Sequence, residues 1–163
     1  MTGSRIPTLG PDGEGWVIGQ LVLLVALAIS GGLALNHFTL DSAPRLGALV
    51  VGPLLILTGA LVFARGLRDL GPSISPVPRP KPGAELVEAG IYRRMRHPIY
   101  AGMIFSSLGW SLFAWSGIGL LFAIALAIWL DLKARLEERW LVARYPGYSD
   151  YRARSNRFLP GIY

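Results

Sequence analysis

The densest grouping of residues able to do chemistry lies between Gly90 and Gly102, in the run GIYRRMRHPIYAG. Proline fits the first turn of a helix and the residue before it disfavours helical backbone, so His97 is the expected N-cap of a helix beginning at Pro98. A helix start offers unsatisfied backbone N–H groups and the positive end of the peptide dipoles, and both favour an anion. Arg93, Arg94 and Arg96 add guanidinium forks matched in shape to carboxylate or phosphate. Tyr100 falls on the first turn, and Gly102 leaves room for a ligand or for another backbone. Arg96, His97 and Tyr100 are thus candidates for holding a small anionic molecule, whereas Arg93 and Arg94 serve equally well as anchors for lipid headgroups.

Two further groups stand downstream. Glu137 and Glu138 lie in LEERWL, where a helix is expected to leave an apolar layer. One of these acids can pair with an arginine of the 93–96 group, or accept hydrogen bonds from an amine or from ribose hydroxyls. The tail from Arg144 to Gly161 alternates Tyr145, Tyr148, Tyr151 and Phe158 with arginines. That mixture suits an interfacial segment with its rings at headgroup level, or a lid over a cofactor. The chain has no cysteine, and its two histidines, His37 and His97, are far apart, so thiolate chemistry, iron–sulfur clusters and multi-histidine metal sites are excluded.

The elements that must position these residues follow from charge. Of 163 residues 52% are hydrophobic and only 16% charged, with a net charge of +6. No charge lies between Glu14 and Asp41, between Arg45 and Arg65, or between His97 and Asp131. Such stretches read as membrane-spanning helices. The expected fold is all-α, a single polytopic domain over 1–163 with about four transmembrane helices near 16–36, 46–64, 99–115 and 117–133. The 33 uncharged residues from Pro98 to Leu130 would make a helix of about 50 Å, too long for one crossing, so a helical hairpin turning near Trp115, Ser116 and Gly117 is expected. Its second arm should continue past Asp131, where Asp131 and Arg135 are four residues apart, into a cytoplasmic helical tail. Glycines 52, 59 and 66 share one helix face through their seven-residue spacing, where a neighbour can approach closely.

Segments 65–97 and 131 onward hold seven basic residues each, which places both clusters and both termini in the cytoplasm of a plasma or inner membrane. The surplus of positive charge therefore marks topology rather than nucleic-acid binding. Between the second and third spans, GPSISPVPRPKPGA carries five prolines in 14 residues and should be extended. A connection this long in a small protein points to function or disorder.

The segment AELVEAGIYRRMRHPIYAG resembles the isoprenylcysteine carboxyl methyltransferase family, in the part that reads L-x-x-x-G-x-Y-x-x-x-R-H-P-x-Y-x-G. The family's later E-E-x-x-L and Y-x-x-Y with a terminal proline are matched by Glu137, Glu138, Leu141, Tyr148, Tyr151 and Pro160, so the resemblance runs from 85 to 160. Pro146-Gly147 stands where that family often has Phe-Gly. The resemblance implies an integral membrane methyltransferase using S-adenosylmethionine and releasing S-adenosylhomocysteine. It also implies a lipophilic acceptor arriving from the bilayer among membrane lipids, and with no cysteine and two separated histidines no metal is expected. Carried over by motif, Arg96, His97 and Glu138 are the catalytic candidates. Arg96, His97, Tyr100, Gly102, Glu137, Glu138, Tyr148 and Tyr151 are the cofactor-binding ones. Prenylcysteine carboxylates, phospholipid amines, isoprenoids, thiols and other hydrophobic acids all remain open as acceptors. Two alternatives stand beside this reading: an NADPH-dependent reductase like the sterol reductases, which end in a similar hairpin, and a non-catalytic protein whose arginines bind anionic lipid.

Overall fold

The computed structural model describes residues 6–36 and 43–161; His37 and Asp41 of the sequence reading lie outside the described residues. Within them the chain forms five α-helices: α1 (Glu14–Leu35), α2 (Ala43–Leu70), α3 (Pro98–Phe113), α4 (Gly117–Arg144) and α5 (Tyr148–Arg154). Short 3-10 turns at Gly71–Ser73 and Gly90–Arg93 flank the proline-rich connection. The expected hairpin is present. Trp115 takes a left-handed φ of 52°, and the Ser116 hydroxyl caps α4 by accepting from the Gly119 amide at 2.9 Å. His97 is the N-cap of α3, with Pro98 in its first turn.

Helices α1, α2 and α4 are long and apolar enough to cross a membrane, with mean hydropathies of 2.2, 2.4 and 1.9 over an 18-residue stretch of each. The third helix of the expected four is shorter: 16 residues rise about 24 Å, less than a hydrocarbon core of about 30 Å. The outward faces carry the apolar side chains, among them Ile18, Val22, Val25, Ile29 and Leu33 on α1 and Val50, Leu54, Leu57 and Leu61 on α2. This inverts the pattern of a water-soluble bundle and requires a hydrocarbon surround.

Small residues hold the bundle together from within. The most extensive helix contact is α2 against α3. There Gly59 faces Gly102 and Gly52 faces Gly109, so closely that a Cβ on Gly102 would lie 2.6 Å from the Gly59 carbonyl. The glycine face expected on α2 is therefore a packing face, and Gly66 completes it against Pro98 and Ile99. On the other side, α1 packs along α4. The Trp129 indole donates to the Trp16 carbonyl at 2.9 Å, and Leu126, Leu130 and Ala134 are fully buried.

The tail after α5 returns to the start of α3. Asn156 pairs with Met95 in an isolated parallel bridge, the only β pairing among the described residues, and the His97 amide donates to the Arg157 carbonyl at 3.0 Å. Residues 94–97 and 155–158 therefore lie side by side. This register determines what surrounds the arginine-histidine pair.

Candidate functional site

Where α1, α2, α3, α4 and α5 meet, the bundle encloses a cavity of about 590 Å³, a size typical of small-molecule sites. One end is polar and aromatic, lined by Tyr92, Arg96, His97, Tyr100, Glu137, Tyr148 and Tyr151. The other is apolar, lined by Val17, Leu21 and Leu24 of α1, Phe63 and Leu67 of α2, and Met103 of α3. Leu21 is also among the exposed side chains of α1, so the apolar end reaches the lipid-facing surface.

A third wall is the proline-rich connection, whose residues 73–80 and 84–87 line the cavity. It is extended as its prolines require, and it is pinned at several points. The Lys133 ammonium donates to the Pro76 carbonyl at 3.2 Å, the Tyr145 hydroxyl to the Ala84 carbonyl at 2.5 Å, and Arg79 pairs with Asp12 at 3.0 Å. Gly90 closes the segment at φ 61°, a left-handed position where a side chain would strike the Asp69 carboxylate, which accepts from the Ile91 amide.

The two adjacent acids divide their work. Glu137 lies on the cavity wall, where it accepts from the Tyr100 hydroxyl at 2.8 Å. Glu138 is not on that wall. It is buried behind it, 2.9 Å from Arg96, 3.2 Å from Arg157 and 3.7 Å from Arg152. The His97 ring sits between the acids, with Nε2 at 3.3 Å from Glu138 and Nδ1 at 3.8 Å from Glu137, and it stacks on Tyr100 with centroids 5.3 Å apart. Arg96 also donates to the carbonyls of Arg152 and Ser155, so one guanidinium ties α3's N-cap region to α4 and to the tail.

One polar atom of a cavity-lining residue, Tyr148 Oη, is buried without a hydrogen-bond partner among the described residues. His97 Nε2, by contrast, faces the Glu138 carboxylate behind the wall at 3.3 Å. Orphaned buried polar atoms of this kind cost about 1–3 kcal/mol each, a cost that a polar ligand in the cavity would remove. Burial, reinforced by the Glu138 and Glu137 carboxylates, pushes the Tyr148 phenol far above its ordinary range. Burial likewise raises Tyr151 to about 12. Both rings are therefore neutral hydrogen-bond donors rather than bases.

Of the residues singled out in the sequence, Arg96, His97, Tyr100, Glu137, Tyr148 and Tyr151 converge on the cavity. Gly102 stands apart: the room it leaves is taken by the α2 backbone rather than by a ligand. Tyr145, read as part of the aromatic tail, is on the wall too, whereas sequence reasoning assigned no role to Gln20, Tyr92 and Lys133 on the wall or to Arg152 and Arg157 behind it. Lys133 carried a readable signal, a cation directly following an apolar span. Its ammonium is buried, donates to Gln20 Oε1 at 2.8 Å and lies 5.2 Å over the Tyr100 ring.

A family model described as phospholipid methyltransferase matches residues 48–147, from the first turns of α2 to the turn before α5. No curated protein matches the chain.

Proposed function

Because the chain belongs to the phospholipid methyltransferase family, the membrane methyltransferases that its 84–102 segment resembles, we propose that it transfers a methyl group from S-adenosylmethionine to a lipophilic acceptor drawn from the bilayer. The observation that carries this reading is the two-ended cavity: a polar, aromatic end that includes the orphaned Tyr148 hydroxyl, continuous with an apolar end open toward lipid.

The residues present fit such a cofactor. In this reading Glu137 would take its ammonium, Arg96 its carboxylate, Tyr148 Oη a hydroxyl or ring nitrogen, and the rings of Tyr92, Tyr148 and Tyr151 its cationic sulfonium. When bound, S-adenosylmethionine supplies an electrophilic methyl carbon that bonds to the acceptor's lone pair as the C–S electron pair leaves with sulfur. What the chain contributes is alignment and the exclusion of water. Glu138 acts as a positioning residue, fixing Arg96 and His97 from behind. A carboxylate acceptor needs no base; an amine bearing a proton needs one, and His97 and Glu137 are the groups on the wall able to receive it. In this reading the protein is a multi-pass membrane protein with the cofactor end of the cavity and both termini on the cytoplasmic side.

The test is calorimetric titration of the detergent-purified protein with S-adenosylmethionine and S-adenosylhomocysteine, with a mass-spectrometric search for either one co-purified. Binding of both, weakened at least about tenfold for S-adenosylmethionine in Glu137→Gln, supports the reading. A folded protein that binds neither overturns it.

A further inference from the structure

The cavity wall holds a cation that the cofactor contacts leave unused. Lys133 is 2% exposed, and its ammonium donates to Gln20 Oε1 at 2.8 Å and to the Pro76 carbonyl at 3.2 Å, with the Tyr100 ring 5.2 Å away. All three partners are neutral. Among the described residues no carboxylate forms an ion pair with Lys133. Glu137, one turn further along α4, accepts instead from the Tyr100 hydroxyl at 2.8 Å. Keeping an ammonium charged inside a protein is costly unless an anion meets it.

The surroundings of Lys133 say what kind of anion fits. It follows closely on the uncharged run that ends at Leu130, where α4 leaves hydrocarbon and a lipid headgroup would lie. On one side stands Tyr100 of the polar end. On the other stands Gln20, which shares a face of α1 with Val17, Leu21 and Leu24 of the apolar end and donates to the Met103 sulfur at 3.4 Å. The ammonium therefore sits where the two ends of the cavity join, and hydrocarbon walls lead away from it toward lipid.

We propose that Lys133 receives an anionic group, carboxylate or phosphate, on a lipophilic acceptor whose chain lies among Val17, Leu21, Leu24 and Met103. An ammonium is a point charge that accepts either anion. The proposal rests on the methyltransferase reading and narrows it. Of the acceptors left open by the sequence, those bearing a carboxylate or phosphate stay, and neutral isoprenoids and thiols drop out. With Glu137 given to the cofactor's ammonium, the acceptor's own anion is the counter-charge for Lys133.

The experiment is native mass spectrometry of the full chain in dodecyl maltoside, titrated with dodecanoate, dodecyl phosphate or dodecanol. Both anions are expected to bind at least about tenfold tighter than the alcohol, the worth of one charge-assisted hydrogen bond, and their order separates carboxylate from phosphate. In Lys133→Met that preference should vanish while dodecanol still binds. Loosening of the proline-rich connection would shift all three probes together and leave the ratio unchanged. Leu24→Trp, which fills the apolar end, should weaken every probe and keep the preference, and circular dichroism confirms that each variant is folded. Equal binding of anions and alcohol to the parent chain, a preference that survives Lys133→Met, or dodecanoate binding unchanged in Leu24→Trp would overturn the proposal. So would a Lys133→Met chain that loses affinity for S-adenosylhomocysteine alone, which would assign the lysine to the cofactor's carboxylate. The probe preference is measured without cofactor, so S-adenosylhomocysteine titrated into the parent tests the methyltransferase reading separately.

Discussion

Removing the Glu138 carboxylate tests the division of labour between the adjacent acids. Its side chain is 3% exposed, and its two closest partners are buried as well, with Arg96 at 7% and Arg157 at 11%. Glu138→Ala leaves both guanidiniums without that counter-charge. Breaking a buried pair from one side ordinarily costs about 3–5 kcal/mol. The lower end applies here, because Arg157 keeps Asp131 at 2.8 Å and Arg96 keeps the Ser155 carbonyl. Arg152 adds little, being half exposed and 3.7 Å away. A loss of about 3 kcal/mol is expected for Glu138→Ala. Glu138→Gln, which keeps one acceptor oxygen, should lose about half of that. Glu137→Gln should behave differently. It weakens one hydrogen bond, from Tyr100 at 2.8 Å, at a site 27% exposed, so stability should fall by less than about 1 kcal/mol. The affinity for S-adenosylmethionine should instead drop at least about tenfold, the worth of one charge-assisted hydrogen bond. Unfolding in mixed micelles followed by circular dichroism gives the first quantity, and calorimetry the second. The reasoning is refuted if Glu138→Ala unfolds like the parent, or if Glu138→Gln abolishes cofactor binding at unchanged stability while Glu137→Gln binds normally.

Gly102→Ala should cost about 1–3 kcal/mol by overpacking, since its new methyl meets the Gly59 carbonyl and the Phe63 amide, whereas Gly47→Ala, which meets nothing within 4 Å, should be neutral or slightly stabilising. The same unfolding assay reads both, and equal costs would sink the packing argument. Tyr151 makes a pH prediction. Its folded pKa of about 12 lies above the ordinary 10, so the unfolded chain ionises first. Its contribution is therefore complete below pH 10 and is lost as pH rises toward about 12. Alkaline unfolding of Tyr151→Phe should show a shallower fall in that window, and identical curves would count against the burial of this phenol. Lys133→Met removes the donor that ties the connection to α4 and α1 through Pro76 and Gln20. A glutamate-specific endoproteinase should then cut faster after Glu85 and Glu88 in detergent, and an unchanged rate would show that Tyr145 and Arg79 hold the segment without it.

Helix positions were legible because their causes are local. Missing charge marks a span, and Pro98 and Ser116 mark starts, so the hairpin and its turn could be read directly from residue types. Convergence of the Arg96-His97-Tyr100 group with the acids was legible too, because opposite charges at two interfacial ends of one hairpin have few other places to go. The rotation of α4 was not legible. Consecutive helical residues point about 100° apart, so of Glu137 and Glu138 only one can face a given cavity. Helix rotation is usually read from an apolar stripe, but a helix with lipid on one side and protein on the other is apolar all round, and α4 offers no such stripe. What turns Glu138 inward is the tail, through Arg157 and Arg152, and the tail is placed by an isolated backbone bridge between Met95 and Asn156. That bridge is a backbone pairing between segments 61 residues apart, and neither segment has a side-chain pattern that announces it. Gly102 stayed open between two readings for a related reason. Its small size states only that something approaches closely, and whether that is a ligand or the Gly59 backbone depends on which helix is its neighbour. The matching seven-residue spacing of Gly52 and Gly59 on α2 with Gly102 and Gly109 on α3 decides it, and this is a pairing between helices rather than a property of either one.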